Sequence, residues 1–133
     1  MEKMMKLMQL TVKDDHLETE VFEAGSPQKI ATSILLLMKQ HLCDYHDEDF
    51  IWNVHLYSFY QRTKMPSPIT LNNGIFSLEI KNGYSLLSST NVFTNEQYAY
   101  ILGCFMAYGI SYSIECYIIN ILYRFIYNEK IPH

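Results

Sequence analysis

Two Asn-Gly dipeptides, Asn73-Gly74 and Asn82-Gly83, place the strongest constraint on how this chain can fold. Asn-Gly readily adopts the positive φ angles of a type I′ turn, which joins two adjacent antiparallel strands. The segments around the dipeptides are short runs rich in apolar and β-branched residues, at 69–71, 75–81 and 84–88. The sequence therefore predicts a three-stranded antiparallel meander, with the alternating apolar residues of its middle strand facing the core.

A second hairpin is predicted near the N-terminus. Apolar and polar residues alternate over 8–13 and again over 17–21, and Asp14-Asp15 lies between the two runs. Alternation with a period of two indicates strands with one solvated face. Ser26 then suits an N-cap, and Pro27 suits the first helical position, which needs no N–H. We therefore predict a hairpin followed by a helix that packs on it.

Residues 50–60 are compatible with either a strand or a helix. The segment is rich in aromatic and β-branched residues, which favour a strand, but its length favours a helix running to about Lys64. The acidic residues before it, from Asp44 to Asp49, suit the positive end of a helix dipole. We predict the helix, ended by the prolines of Met65-Pro66-Ser67-Pro68.

Two more helices are predicted in the last third of the chain. Thr94-Asn95-Glu96-Gln97 matches a capping box, which marks a helix start. The apolar run that follows continues to Phe125, with Gly109 and Ser111 in its middle. We expect a break near Gly109 to divide this run into two helices.

These elements together predict an α+β domain. A mainly antiparallel sheet, built from the hairpin and the meander, is covered by about four helices in the order ββαα-βββαα. We expect residues 1–133 to form a single domain, because 133 residues is an ordinary size for one. The repeated element order also raises the hypothesis of a degenerate duplication with halves 1–64 and 69–128.

Composition and charge exclude some classes of function. The net charge of −4 offers no basic surface for nucleic acid, so direct nucleic-acid binding is disfavoured. The three cysteines are odd in number and unclustered, and the N-terminus lacks the pattern of a signal peptide. We expect a cytoplasmic protein without disulfides. Only 18% of the residues are charged against 49% hydrophobic, so we also expect some apolar surface to bind a partner.

Small residues recur at every fourth position in the last third of the chain. Such a row lets another backbone approach closely. We predict that the row forms a homodimer interface together with two residues of the last helix, and tight packing inside the domain is the alternative. The interface residues are Ala99, Gly103, Ala107, Ser111, Ile119 and Tyr123.

Residues 98–123 are long and apolar enough to raise a membrane alternative as well. Against it, Glu115 would carry a carboxylate into the bilayer at a cost of about 2.5–3.5 kcal/mol. A membrane-inserted helix is therefore the weaker alternative to a core or interface helix.

Catalytic and metal-binding signatures are weak. His41, Cys43, His46 and Asp47 are all metal-ligand residue types, but their spacing matches no standard zinc pattern. The sequence contains no G-x-S-x-G nucleophile motif and no glycine-rich phosphate loop. We expect no cofactor, and a small enzyme or metal protein built on residues 41–49 is an alternative.

The sequence thus favours a non-enzymatic protein-binding or adaptor module, which binds itself as a homodimer and one further protein. A small acidic inhibitor that blocks a nucleic-acid-binding effector is the alternative. The chain's small size and its lack of a catalytic motif also fit a phage-type or mobile-element protein. The inhibitor's acidic patch would consist of Glu18, Glu20, Asp44, Asp47, Glu48 and Asp49.

Overall fold

Four antiparallel strands and four helices form an α+β fold in a computed structural model that describes residues 3–130. The predicted fold class is confirmed. The elements are β1 (Met4–Lys13), β2 (His16–Val21), α1 (Pro27–Tyr45), α2 (Asp49–Arg62), β3 (Gly74–Lys81), β4 (Tyr84–Ser89), α3 (Asn95–Gly109) and α4 (Tyr112–Lys130).

Both hairpins have two-residue turns with positive φ angles. Asp14 and Asp15 have φ angles of 48° and 66°, and Asn82 and Gly83 have φ angles of 52° and 83°. Positive φ at both central residues is the signature of a type I′ turn, whose twist matches that of the flanking strands. The predicted N-terminal hairpin and the predicted turn at Asn82-Gly83 are therefore confirmed.

The predicted meander differs from the structure by one strand. Residues 69–71 form a loop and not a strand. We expected them to pair with β3, but β1 pairs with that edge of β3 instead. The strand order of the sheet is β2-β1-β3-β4. Asn73-Gly74 consequently makes no hairpin turn. Gly74 begins β3, and the Asn73 side chain accepts a hydrogen bond of 2.9 Å from the backbone N–H of Asp14.

The helix starts follow the capping signals. The Ser26 hydroxyl accepts from the N–H of Lys29, and Thr94 and Gln97 form the full capping box at the start of α3. Residues 50–60 lie in α2 and not in a strand. The long apolar run is divided at Ile110, which has an extended backbone and follows α3, as expected for a break near Gly109.

Across residues 3–130, no helix has both the length and the apolar character needed to cross a membrane.

Each hairpin is covered mainly by the helix of the other half. We expected α1 to pack on the hairpin that precedes it, but α1 lies mainly over β3 and β4, while α3 lies over β1 and β2. The reason is the central pairing of β1 with β3, which brings the two hairpins into one sheet and lets the helices cross over it. The second helices then form an outer layer, in which α2 packs on α3 and α4 packs on α1.

The order ββαα occurs twice, and the register of the β1–β3 pair is the one that a twofold relation between the two copies would produce. The helix caps Ser26 and Thr94 differ by 68 in residue number, and so do Gln9 and Ser77. Gln9 pairs with Ser77 in the middle of the β1–β3 ladder. Residues that pair with their own counterparts lie on a twofold axis. This geometry suits the duplication hypothesis, which stays a hypothesis.

Candidate functional site

The small-residue row begins inside the chain. Ala99 and Gly103 are fully or almost fully buried, and they face α2. A Cβ atom added to Gly103 would lie 2.9 Å from the backbone nitrogen of Ser58 and 2.9 Å from the Cβ of Tyr57. The close backbone approach that the row predicts thus occurs between α2 and α3 of one chain.

The remaining predicted interface residues do not form one surface with these two. Ala107 is half-buried, Ser111 is exposed between α3 and α4, Ile119 is buried and Tyr123 is exposed. Ala99 and Gly103 could meet a second copy only if α2 moved away from α3. Homodimer formation through the row stays a prediction.

The ligand types predicted around His41 do not converge. His41 is buried, whereas Cys43 is exposed and His46 lies beyond the end of α1 in a left-handed conformation. Among the side chains of residues 3–128, no group of three or more His, Cys, Asp or Glu is placed to hold a metal ion. The alternative of a metal protein built on residues 41–49 therefore lacks a geometric basis in this part of the chain.

His41 instead belongs to an aromatic stack. Its ring lies 3.9 Å from the ring of Phe50 and 5.6 Å from that of Tyr98, measured between centroids. Its Nε2 is buried, has no hydrogen bond to any other described residue, and lies 3.9 Å from Oδ2 of Asp47. Burial lowers the pKa of His41 from its ordinary value of 6.5, although Asp47 and Asp44 oppose the shift. His41 is thus a core imidazole favoured in its neutral form.

A buried carboxyl at the centre of several hydrogen bonds is the residue that the sequence suggested only as an obstacle to membrane insertion. Glu115, on α4, is 0% exposed. Its Oε1 accepts hydrogen bonds from Ser58 at 2.5 Å and from Arg62 Nη2 at 2.9 Å, and its Oε2 lies 2.6 Å from Nδ1 of His55. We call these four residues the Glu115 cluster.

Three members of the Glu115 cluster come from one face of α2. His55, Ser58 and Arg62 follow a spacing of three and four residues, which places them in one row along a helix. Because the Glu115 carboxylate accepts hydrogen bonds, Nδ1 of His55 is the donor in their contact.

The bonding pattern argues against a catalytic triad. In a triad the serine hydroxyl donates to the histidine, and the histidine donates to the acid. Here both Ser58 and His55 bind Glu115 directly, and among the described residues no hydrogen bond joins Ser58 to His55. The cluster can therefore orient His55, but it does not activate Ser58 as a nucleophile.

Arg62 joins three helices through the cluster. Its Nη2 also donates to the carbonyl oxygens of Met106 and Ile110, at 3.1 Å and 3.0 Å, near the C-terminal end of α3. The last carbonyls of a helix lack partners within the helix, and a guanidinium there also interacts favourably with the dipole. Arg62 thus fixes the α3–α4 corner against α2.

Aromatic rings cover the outer side of the Glu115 cluster. Tyr112 stacks on His55 with ring centroids 6.2 Å apart and an interplanar angle of 16°, and the guanidinium of Arg62 lies 5.8 Å from the centroid of the same Tyr112 ring. The Trp52 ring lies edge-on to His55, at 6.1 Å. Two aromatic side chains that are partly exposed therefore contact the cluster through His55.

Along α2, an apolar stripe faces outward beside these rings. Trp52 is 54% exposed and Phe59 is 48% exposed, and the half-buried Leu56 lies between them. Residues at i, i+4 and i+7 share one face of a helix. The opposite face of α2 is also apolar and packs on α3 through Ile51, Val54 and other buried residues. We call Trp52, Leu56 and Phe59 the α2 stripe.

The predicted acidic residues lie on separate elements. Glu18 and Glu20 are exposed on β2, where they pair with Thr11 and Gln9 of β1. The other four lie at the corner between α1 and α2, far along the chain and on a different layer; they are Asp44, Asp47, Glu48 and Asp49.

Comparison with family models, with curated proteins and with solved structures found no match for this chain.

Sequence reasoning missed both the Glu115 cluster and the α2 stripe. A signal for each was present. Glu115 is a lone carboxyl within a long apolar run, and a buried carboxylate requires partners. In α2, apolar residues occur all round the helix, which requires either burial on every side or an exposed apolar face.

Proposed function

We propose that this chain is a non-enzymatic protein-binding module and that the α2 stripe, with the neighbouring Tyr112, is its contact surface. The observation that carries the proposal is the exposure of Trp52 and Phe59 on a helix whose opposite face is already buried in the core. A patch of large, exposed apolar side chains occurs at interaction sites more often than on the ordinary surface of a monomer.

The types of residue on this surface support the same conclusion. Tryptophan, tyrosine and arginine are the residues most enriched at the energetic centres of protein interfaces. Trp52, Tyr112 and Arg62 lie around His55, and the Glu115 cluster limits their freedom before binding. A surface that is ordered in advance loses less conformational entropy when a partner binds.

The proposal is tested by comparing baits in affinity purification from the native cell. The wild-type chain, the double variant Trp52→Ala with Phe59→Ala, and the control Tyr84→Ala are used side by side. Tyr84 is 77% exposed in the strand that follows the Asn82-Gly83 turn, so it controls for loss of an exposed aromatic ring. We expect protein partners, or a second copy of the chain, to be lost from the double variant alone. Equal recovery by all three baits would contradict the proposed surface.

A second candidate function is an acidic inhibitor of a basic, nucleic-acid-binding protein. The observation that favours it is that Glu18 and Glu20 are both exposed on the same face of β2, where they pair with Thr11 and Gln9 of β1. Contacts between exposed charges weaken as salt increases. The inhibitor function would be favoured if capture of the partner falls steeply as salt increases and in the variants Glu18→Gln and Glu20→Gln. Capture by the Trp52→Ala variant should then equal capture by the wild type.

A further inference from the structure

We propose that a second copy of this chain covers the α2 stripe, with the two α2 helices packed antiparallel about a twofold axis between His55 and Leu56. The inference rests on the proposed function and names the partner that the surface binds. It differs from the predicted small-residue seam, since it places the interface on the outer face of α2.

The apolar side chains of the stripe are arranged symmetrically about this axis. The midpoint between Trp52 and Phe59 along the chain is also the midpoint between His55 and Leu56. In an antiparallel pair, Trp52 therefore faces Phe59 of the partner subunit at both ends, and Leu56 approaches its own copy at the centre. An isologous interface requires this kind of self-complementarity. The span from Trp52 to Phe59 is about 10 Å, or two helical turns.

The charges at the ends of α2 obey the same symmetry. Asp47 and Asp49 lie at the N-terminal end of α2, and Lys64 lies just beyond its C-terminal end. The midpoint between Asp47 and Lys64 again falls between His55 and Leu56. Antiparallel packing places the acidic end of one helix beside the basic end of the other, whereas parallel packing would place like charges together.

The charge of Arg62 does not enter this argument, because Glu115 already neutralises it. Lys64 is exposed, and its Nζ lies 5.3 Å from the centroid of the Tyr108 ring. Lys64 and the acidic residues Asp47 and Asp49 are therefore the groups whose replacement tests the electrostatic part of the interface.

The sole tryptophan of the chain gives a direct probe of this surface. The sequence contains one tryptophan, and it is Trp52. In a dilution series of the purified chain, we expect its emission maximum to shift to longer wavelength over the same concentration range in which sedimentation shows dimers dissociating. A dimer that dissociates with no change in Trp52 emission would overturn the inference.

Two substitutions test the apolar centre of the interface. Trp52→Ala and Phe59→Ala should each weaken dimerisation by about thirtyfold or more, as expected for large side chains at an interface centre. Tyr84→Ala should leave the dimer constant within about twofold, and circular dichroism establishes that the variants are folded. An unchanged dimer constant in both α2 variants would contradict the proposal.

Cysteine cross-linking tests the position of the axis. In a Cys43→Ser, Cys116→Ser background, Leu56→Cys should form a disulfide-linked dimer rapidly under mild oxidation, because a residue directly beside a twofold axis lies close to its own copy. Burial raises the pKa of the Cys104 thiol, so this remaining cysteine is unreactive. Tyr84→Cys in the same background is the control and should not cross-link at the same rate.

Charge exchange tests the antiparallel direction. Because Asp47, Glu48 and Asp49 all lie at the N-terminal end of α2, the double variant Asp47→Lys with Asp49→Lys is needed to give the helix two basic ends, and Lys64→Glu gives it two acidic ends. We expect each variant to dimerise at least tenfold more weakly than the wild type, and an equimolar mixture to form heterodimers. Heterodimers no more stable than either homodimer would reject the antiparallel arrangement.

Failure of the inference is distinguishable from failure of the proposed function. A wild type that is monomeric at high concentration overturns the self-association, while loss of a different protein partner from the Trp52→Ala bait would still support the binding surface. One further outcome would overturn the inference and place the interface on α4. In that outcome Trp52→Ala leaves the dimer intact, Leu56→Cys does not cross-link, and Tyr123→Ala disrupts the dimer.

Discussion

His41 carries a ring nitrogen that is buried and has no hydrogen-bond partner among the residues that the structure describes. Its position in the stack with Phe50 explains why an imidazole is tolerated there, since the ring contributes as an aromatic side chain. Histidine is often a catalytic or metal-binding residue, but His41 has a packing role. The groups that face it are Asp47, Asp44, Tyr45, Tyr98 and Phe50.

Acid should destabilise the fold through His41. Burial lowers the pKa of His41 in the folded chain, so below 6.5 the unfolded chain binds more protons at this site than the folded chain does. The stability contributed by neutral His41 is therefore present above pH 6.5 and is lost as the pH falls towards the lower folded value. His41→Phe keeps the ring and removes the titration.

We expect denaturation curves of His41→Phe to show a gain in unfolding free energy over the wild type that is larger at pH 5 than at pH 8. Parallel pH profiles for the two proteins would show that His41 makes no such contribution.

Gly103 has a different constraint, set by the backbone of α2. Because a Cβ there would lie 2.9 Å from the nitrogen of Ser58 and 3.0 Å from the carbonyl oxygen of Val54, Gly103→Ala must push the two helices apart. Overpacking of this kind typically costs about 1–3 kcal/mol. We expect a lower melting temperature with an unchanged dimer constant. A dimer lost at unchanged melting temperature would instead support the small-residue seam.

At the scale of elements, α2 contributes to both features of the candidate site. One side of the helix supplies three members of the Glu115 cluster, and another side carries the α2 stripe. Removing one member of a buried ion pair leaves the other charge without its partner, at a cost of about 3–5 kcal/mol. Replacing both by apolar residues of similar size is often much less costly.

A double-mutant cycle on Arg62 and Glu115 should therefore be strongly non-additive. Arg62→Met leaves Glu115 buried, and it also removes the donor to the carbonyl oxygens of Met106 and Ile110. We expect urea denaturation to show that Arg62→Met with Glu115→Leu is more stable than Arg62→Met alone. Additive costs would mean that Arg62 and Glu115 act independently.

Most elements could be predicted from sequence, because their signals are local. The Ser26 and Thr94 caps, the Asn82-Gly83 turn and the break near Gly109 each depend on a few adjacent residues. Asn73-Gly74 was misinterpreted because the turn signal does not reveal that β1, more than sixty residues earlier, occupies the edge of β3. The Glu115 cluster could not be assembled for the same reason, since His55 and Glu115 meet only after α2 and α4 pack.

At the scale of the whole molecule, the two ββαα halves are interlocked rather than placed side by side. β1 and β3 are the two central strands of the sheet, α1 and α3 lie over the hairpins of the opposite halves, and α2 packs on α3. Each half alone would expose one edge of a central strand and the apolar faces of its helices. Exposed edges and faces of this kind make an isolated unit unstable or prone to aggregation.

Cleaving the chain between Pro66 and Ser67, in the loop that joins the halves, should therefore yield two fragments that fold only together. The loop contributes little to the sheet, since β3 begins at Gly74 and α2 ends at Arg62. The β1–β3 ladder and the α2–α3 contact both cross the cut, and they supply the apolar burial that each fragment lacks. We expect separate fragments to give weak circular dichroism and no cooperative melt. An equimolar mixture should recover native ellipticity and a single, concentration-dependent transition, because association now carries the free energy of folding. If either fragment melts cooperatively by itself, the halves are independent folding units, and the interlocked packing contributes to assembly without being required for folding.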